Sequence, residues 1–130
     1  MDYKWIDHVV IAVKDLNEGI ATYRDNLGMT LDRTSESQAM GIKQAFFTMG
    51  DGRVLEVVEP LGPETPVGRA LERRGEGVFI VALAVDDKAK AAQELQDKGV
   101  QIIGADQPGG QIFVHPRSTH GVLIQLVERP

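Results

Sequence analysis

The stretch from Trp5 to Val13 is apolar and rich in β-branched residues, broken only by Asp7 and His8, and it gives way to a helix start at Asp15. Such a run predicts a buried strand. Side chains alternate faces with period two, so His8, Val10 and Ala12 share one face while Val9, Ile11 and Val13 share the other. The Val9 face is bulky and continuous, as a face covered by helices should be. The His8 face tapers from an imidazole to a methyl and leaves room beside it.

The pattern then switches to a helical period. Asp15 stands as an N-cap with Glu18 three residues on. Leu16, Ile20, Tyr23 and Leu27 recur on one helical face, and Gly28 supplies a left-handed stop. Gly19 weakens that helix by roughly 1 kcal/mol relative to alanine, which predicts close packing on the sheet. Strands are predicted over 29–37, 40–49 and, past the tight turn Gly50-Asp51-Gly52, over 53–59. Thr65 as a cap and Pro66 at the first helical position predict a short helix over 67–74, ended by Gly75. A second series follows: a strand over 78–85, a helix from Asp87 with Ala91, Ala92 and Leu95 facing inward, and strands near 100–103, 111–115 and 122–127.

The two series are copies of one unit. Ile11-Ala12-Val13-Lys14-Asp15 matches Leu83-Ala84-Val85-Asp86-Asp87, 72 positions later. Val54-Leu55-Glu56-Val57-Val58-Glu59 matches Leu123-Ile124-Gln125-Leu126-Val127-Glu128, 69 positions later. The expectation is an α+β chain of two tandem βαβββ modules, curved mixed sheets around a central cavity. The first module spans 1–60, a linking segment with a short helix spans 61–77, and the second module spans 78–130. The matches make His8 equivalent to Ile80 and Glu56 equivalent to Gln125.

Composition narrows the function classes. With 130 residues and a net charge of −5 the chain lacks the basic footprint of a nucleic-acid binder. It contains no cysteine, which excludes disulfides, thiolate metal sites and a cysteine nucleophile and accords with a cytoplasmic protein. No apolar run approaches a membrane span, so neither export nor membrane insertion is expected.

The positions 8, 56, 80 and 125 are candidates for one site if the first and last strands of each unit face a common concavity. They carry an imidazole, a carboxylate, a hydrocarbon and an amide. A buried carboxylate needs a partner, and His8 is the natural one for Glu56. A His8–Glu56 hydrogen-bonded pair without metal is the leading picture. His8 and Glu56 are therefore the candidate catalytic residues, with Gln125, Ile80, Gln44, Phe47 and Gln111 as candidate substrate contacts. The expectation is a centre with no resident cofactor. The alternative is a weakly bound divalent metal on His8, Glu56 and Gln125. A lone histidine on an apolar strand is more often an ordinary interior residue, and a turn histidine such as His115 or His120 more often stabilises its turn.

Beyond these patterns the chain resembles the vicinal oxygen chelate superfamily, which includes glyoxalase I, bleomycin-resistance proteins and extradiol dioxygenases, and within it the methylmalonyl-CoA epimerases. The carrying segments are Ile6-Asp7-His8-Val9-Val10-Ile11-Ala12-Val13, Tyr23-Arg24-Asp25 with Leu27-Gly28, Glu56-Val57-Val58-Glu59-Pro60-Leu61-Gly62-Pro63, Arg74-Gly75-Glu76-Gly77, His115-Pro116-Arg117-Ser118-Thr119 and Gly121-Val122-Leu123-Ile124-Gln125. The resemblance implies a divalent metal with ligands at positions 8, 56, 80 and 125, the last doubling as a base, and a further catalytic glutamate at position 39. Here those positions hold His8, Glu56, Ile80, Gln125 and Ala39, so the family's third ligand and both its proton-transfer carboxylates are replaced. Two-base epimerisation needs groups that exchange a proton on opposite faces of a carbon, which Ala39 and Gln125 cannot do. Three readings follow: isomerase- or lyase-type chemistry on a small carbonyl or acyl-thioester compound through His8 and Glu56; metal-free sequestration of a small molecule; or, behind these, a metal-dependent epimerase or glyoxalase-like lyase with the reduced ligand set His8, Glu56 and Gln125. A homodimer is expected, as superfamily members commonly pair.

Overall fold

The computed structural model describes residues 1–130 and divides into two compact units, 8–79 on one side and 1–7 together with 80–130 on the other. The segment expected to link two modules packs within the first unit, and the first seven residues belong to the second. Each unit has the expected βαβββ order.

In the first unit the strands are β1 (Ile6–Ala12), β2 (Thr30–Ser37), β3 (Ile42–Thr48) and β4 (Val54–Pro60), side by side in the order β2-β3-β4-β1. β1 runs parallel to β4 and the other pairs are antiparallel. The hairpin between β3 and β4 closes at Met49, whose amide donates to the Arg53 carbonyl at 2.7 Å, with Gly52 at φ 86° in the turn. One face of this sheet packs on the helix that follows β1. Val13, Leu16, Ala45, Phe47 and Val57 form that core, with Ile11, Ile20, Tyr23 and Leu31 against it.

That helix begins as α1 (Leu16–Ile20), capped by Asp15, whose Oδ1 accepts from the Glu18 amide at 3.2 Å. From Ala21 to Asn26 it widens into a π-helix. The wider turn breaks the 3.6-residue phase. Leu27, expected on the inner face, is 61% exposed as a result. Gly19 lies where a Cβ would stand 3.1 Å from Val57 Cγ1 and 3.3 Å from Val13 Cγ2, which is the close approach its presence predicts. A second helix, α2 (Pro66–Arg74), starts on Thr65, which accepts from the Gly68 amide, and ends at Gly75 with φ 79°.

The second unit repeats this plan with β5 (Gly77–Val85), α3 (Lys88–Asp97), β6 (Ile102–Ile103), β7 (Ile112–Val114) and β8 (Leu123–Glu128), the strands from Ile80 onward lying in the order β5-β8-β7-β6. Its core gathers Val85, Ala91, Ala92, Ile112 and Leu126, with Leu95, Ile102 and Ile124 against it. The sequence offsets reappear as strand register. His8 pairs with Val54 and Val10 with Glu56 in one unit; Ile80 pairs with Leu123 and Ala82 with Gln125 in the other. The N-terminal arm adds to this unit through Lys4, whose amide donates to the Ala84 carbonyl at 2.9 Å, and through Asp7, which accepts two bonds from the Arg129 guanidinium at 2.9 and 3.1 Å. That pairing raises the Arg129 pKa from its already high value. No helix is long and apolar enough to cross a membrane.

Candidate functional site

Register decides which side chains share the face that the α1 helix leaves uncovered. Glu56 on β4 stands between Val10 of β1 and Phe46 of β3. Residues paired across strands point to the same side, so His8, Val10, Glu56, Phe46 and Gln44 share this face. Glu56 is 9% exposed, one of the two buried charged groups in the chain. A carboxylate so placed requires hydrogen bonds. Its Oε2 accepts from Gln44 Nε2 at 3.0 Å, and Gln44 Oε1 accepts in turn from Ser35 Oγ at 2.8 Å. A chain of three side chains, one from each of β2, β3 and β4, thus fixes the amide of Gln44 and through it the carboxylate.

Ser35 reaches this face because β2 contains a bulge. Leu31 pairs with Phe47, but Arg33 pairs with Phe46, so Asp32 is the extra residue. Before the bulge, Leu31 belongs to the helix-side core. After it, Arg33 and Ser35 sit with Phe46 and Gln44. Arg33 lays its guanidinium over the Phe46 ring, 3.9 Å from the centroid.

Phe47 is the expectation the structure corrects. It is 0% exposed and packs against Tyr23 at 5.8 Å between ring centroids, in the helix-side core. The hairpin register is the reason: Phe46 stands opposite Glu56 and Phe47 opposite Leu55. Gln44 is brought to Glu56 as a direct partner. His8 lies two residues before the register partner of Glu56, on the same side of β1.

In the second unit Ile80 and Gln125 also share a face, the one turned away from α3. Gln125 stands between Ala82 of β5 and Phe113 of β7. Ile80 is buried and Gln125 half-buried. Gln111 is exposed just ahead of β7. His115 stabilises the turn that follows, its Nδ1 accepting from the Arg117 amide at 2.9 Å. His120 occupies a left-handed backbone position at φ 59°.

The residues offer little to a resident ion. No three His, Cys, Asp or Glu side chains come together anywhere in the chain. Structural and catalytic metal centres use three or four strong donors. The first unit supplies one imidazole and one carboxylate, and the corresponding positions of the second supply a hydrocarbon and an amide. Taken unit by unit, neither set of donors fits a tightly held divalent ion.

The profile of the Glyoxalase/Bleomycin resistance protein/Dioxygenase superfamily matches residues 5–126. The chain belongs to that superfamily. Among its relatives is the ethylmalonyl-CoA/methylmalonyl-CoA epimerase of Cereibacter sphaeroides, 29% identical over 128 residues, covering 93% of this chain and 95% of the relative. The lactoylglutathione lyase of Salmonella typhimurium is 30% identical over 128 residues, covering 93% and 90%. The methylmalonyl-CoA epimerase of Streptomyces coelicolor, solved in complex with 2-nitronate-propionyl-CoA, superposes with a TM-score of 0.85 at 31% identity, covering 98% of each chain. The vicinal-oxygen-chelate fold is therefore present from end to end, with its βαβββ repeat.

Two site features escaped the sequence reading: the Ser35–Gln44–Glu56 chain and the arginine over Phe46. Both follow from the bulge at Asp32. The signal for it was the demand of Leu31 for the core face while Ser35, at the same parity, is polar.

Proposed function

We propose that this protein is an isomerase- or lyase-type enzyme that moves a proton beside the carbonyl of a small carbonyl compound or acyl thioester, with Glu56 and His8 as its acid–base groups. The observation that carries the reading is the buried Glu56 carboxylate held by Gln44. A carboxylate that costs folding energy to bury, and is oriented through a neighbour that is itself oriented, is arranged for use rather than for stability. Catalysis needs the base within hydrogen-bond reach of the proton and fixed in direction. Gln44 supplies the direction. Its second amide hydrogen is a donor for the enolate oxygen that forms when the proton leaves. His8 returns the proton or exchanges it with water. Relatives that act on methylmalonyl-CoA and lactoylglutathione support an acyl-thioester or related carbonyl substrate. We read the chain as a divergent member that does without the family's full set of metal ligands and bases. We also read it as a cytoplasmic homodimer, its outer strands β2 and β6 leaving edges for a partner.

The test is solvent exchange. Protein dialysed against a chelator is incubated in D2O with N-acetylcysteamine thioesters of short acids and with small 2-oxo acids, and loss of the proton beside the carbonyl is followed by NMR. Exchange by the wild type that falls at least ~100-fold in Glu56→Gln, with correct folding by circular dichroism, is expected. Exchange that survives the substitution, or that appears only after a divalent metal is added back, overturns the reading.

A further inference from the structure

The face that holds Glu56 also carries a cation that the proton-transfer reading does not use. Arg33 stands on β2, opposite Phe46, which stands opposite Glu56. The three lie in one row across the sheet, with strands roughly 5 Å apart. The guanidinium is stacked on the Phe46 ring at 3.9 Å, and its side chain remains 60% exposed. It makes a loose, exposed ion pair with Asp32, whose Oδ2 is 3.7 Å from Nε and beyond hydrogen-bond distance. Stacking fixes the plane of a guanidinium and leaves the N–H edges directed outward, the arrangement that binds planar anions in a bidentate manner.

The backbone shows that this placement is built rather than incidental. In an unbroken ladder, Leu31 opposite Phe47 would be followed by Asp32 opposite Phe46, which would put a carboxylate in the row with Glu56. The bulge inserts one residue and gives the place to Arg33. One irregularity thus puts a cation instead of a carboxylate on this face, one strand removed from the aromatic neighbour of the base.

We infer that Arg33 is a specificity residue that binds an anionic group, a carboxylate in the first instance, at the end of the substrate remote from the carbon attacked by Glu56. This rests on the proton-transfer reading for the identity of the reacting end, but the anion site itself does not. The probes are the N-acetylcysteamine thioesters of succinic acid and of its monoamide, which match in shape and differ in charge. Proton exchange and direct binding by calorimetry are measured on wild type, Arg33→Ala, Arg33→Lys and, as a control, Arg24→Ala, an exposed arginine paired with Asp25.

The wild type is expected to favour the anionic thioester by about tenfold or more, the range of one charged hydrogen-bonded contact. Arg33→Ala should abolish that preference through KM, leaving kcat within about twofold, because a remote contact made equally in ground and transition states changes binding alone. Arg33→Lys should restore part of it, since an ammonium keeps the charge but not the fork or the stack. Arg24→Ala should leave the ratio unchanged. A ratio that does not change in Arg33→Ala, or a wild type that binds both thioesters equally or binds neither, overturns the inference. Anion binding that depends on Arg33 without any proton exchange overturns the proposed reaction and keeps the anion site, so the two failures are distinguishable.

Discussion

The two units share their scaffolding and differ in what they hold. In the first, Asp15 caps α1 through the Glu18 amide, and Glu59 at the end of β4 accepts from the Leu16 amide at 2.7 Å. In the second, Asp87 caps α3 through the Lys90 amide at 3.0 Å, and Glu128 at the end of β8 accepts from the Lys88 amide at 3.0 Å. Each helix start is thus satisfied twice, once by its own cap and once by a strand it packs on. These are orphan backbone donors that any copy of the unit must satisfy, so the repeat has kept the acids. The faces away from the helices carry no such obligation. One has His8, Glu56, Gln44, Ser35 and Arg33; the other has Ile80, Ala82, Gln125 and Phe113 at corresponding or neighbouring positions. Peptide hydrogen bonding has preserved the frame in both units, and the titratable chemistry has concentrated in one.

The largest effect that would break this comparison is catalytic. Glu56→Gln should lower proton exchange at least ~100-fold, whereas Gln125→Ala should lower it less than about tenfold. Equal losses would mean that the second unit contributes as much chemistry as the first. Next comes the sorting of two adjacent rings. Phe47→Ala should cost about 3–5 kcal/mol in urea unfolding, much as Leu126→Ala should cost about 2–5 in the other unit, because each empties a closed core. Phe46→Leu should be far milder in unfolding and should raise KM for the anionic thioester instead. A Phe46 variant as unstable as the Phe47 variant would place both rings in the core and remove the floor of the arginine site.

These outcomes bear on how much could be read from the chain alone. The repeat, the strand and helix order, the Thr65-Pro66 helix start and the Gly75 stop were legible because each depends on local pattern: period, cap, proline, glycine. Phe47 was misassigned because two neighbouring aromatics look alike until the hairpin register is known, and the Met49–Arg53 closure sets that register. Leu27 was misassigned because a π-helical turn leaves no signature in hydrophobic spacing other than the failure of the spacing itself. The fold survives such errors since the core is redundant. The site does not, because it is a few side chains whose facing is reversed by a one-residue slip.

Smaller effects refine the frame. Glu59→Gln should cost about 1 kcal/mol, and Glu128→Gln less, as read by thermal unfolding. Glu59 makes the shorter bond and its side chain is only 23% exposed, whereas Glu128 is open to solvent. The reverse order would show that exposure does not govern the two caps. Smallest is Gly19→Ala. In an open helix the change would stabilise by roughly 1 kcal/mol, but here the new methyl meets Val57 and Val13, and a net loss of a few tenths is expected. The equivalent position in the second helix is Ala91, which is buried against Val85 and Leu126 without a glycine.

The clasp between Asp7 and Arg129 has a consequence for how the repeat can be taken apart. A peptide cut after residue 77 would separate the two sequence copies cleanly, yet the fragment 78–130 would lose the arm that supplies Lys4 to Ala84 and Asp7 to Arg129. The sequence copies and the compact bodies differ at both boundaries: residues 1–7 fold with the second copy and residues 78–79 with the first. A rearranged chain that begins at Ile80, runs through Pro130, is joined by a short linker to Met1 and ends at Phe79 keeps both bodies whole, while expression of 78–130 alone does not.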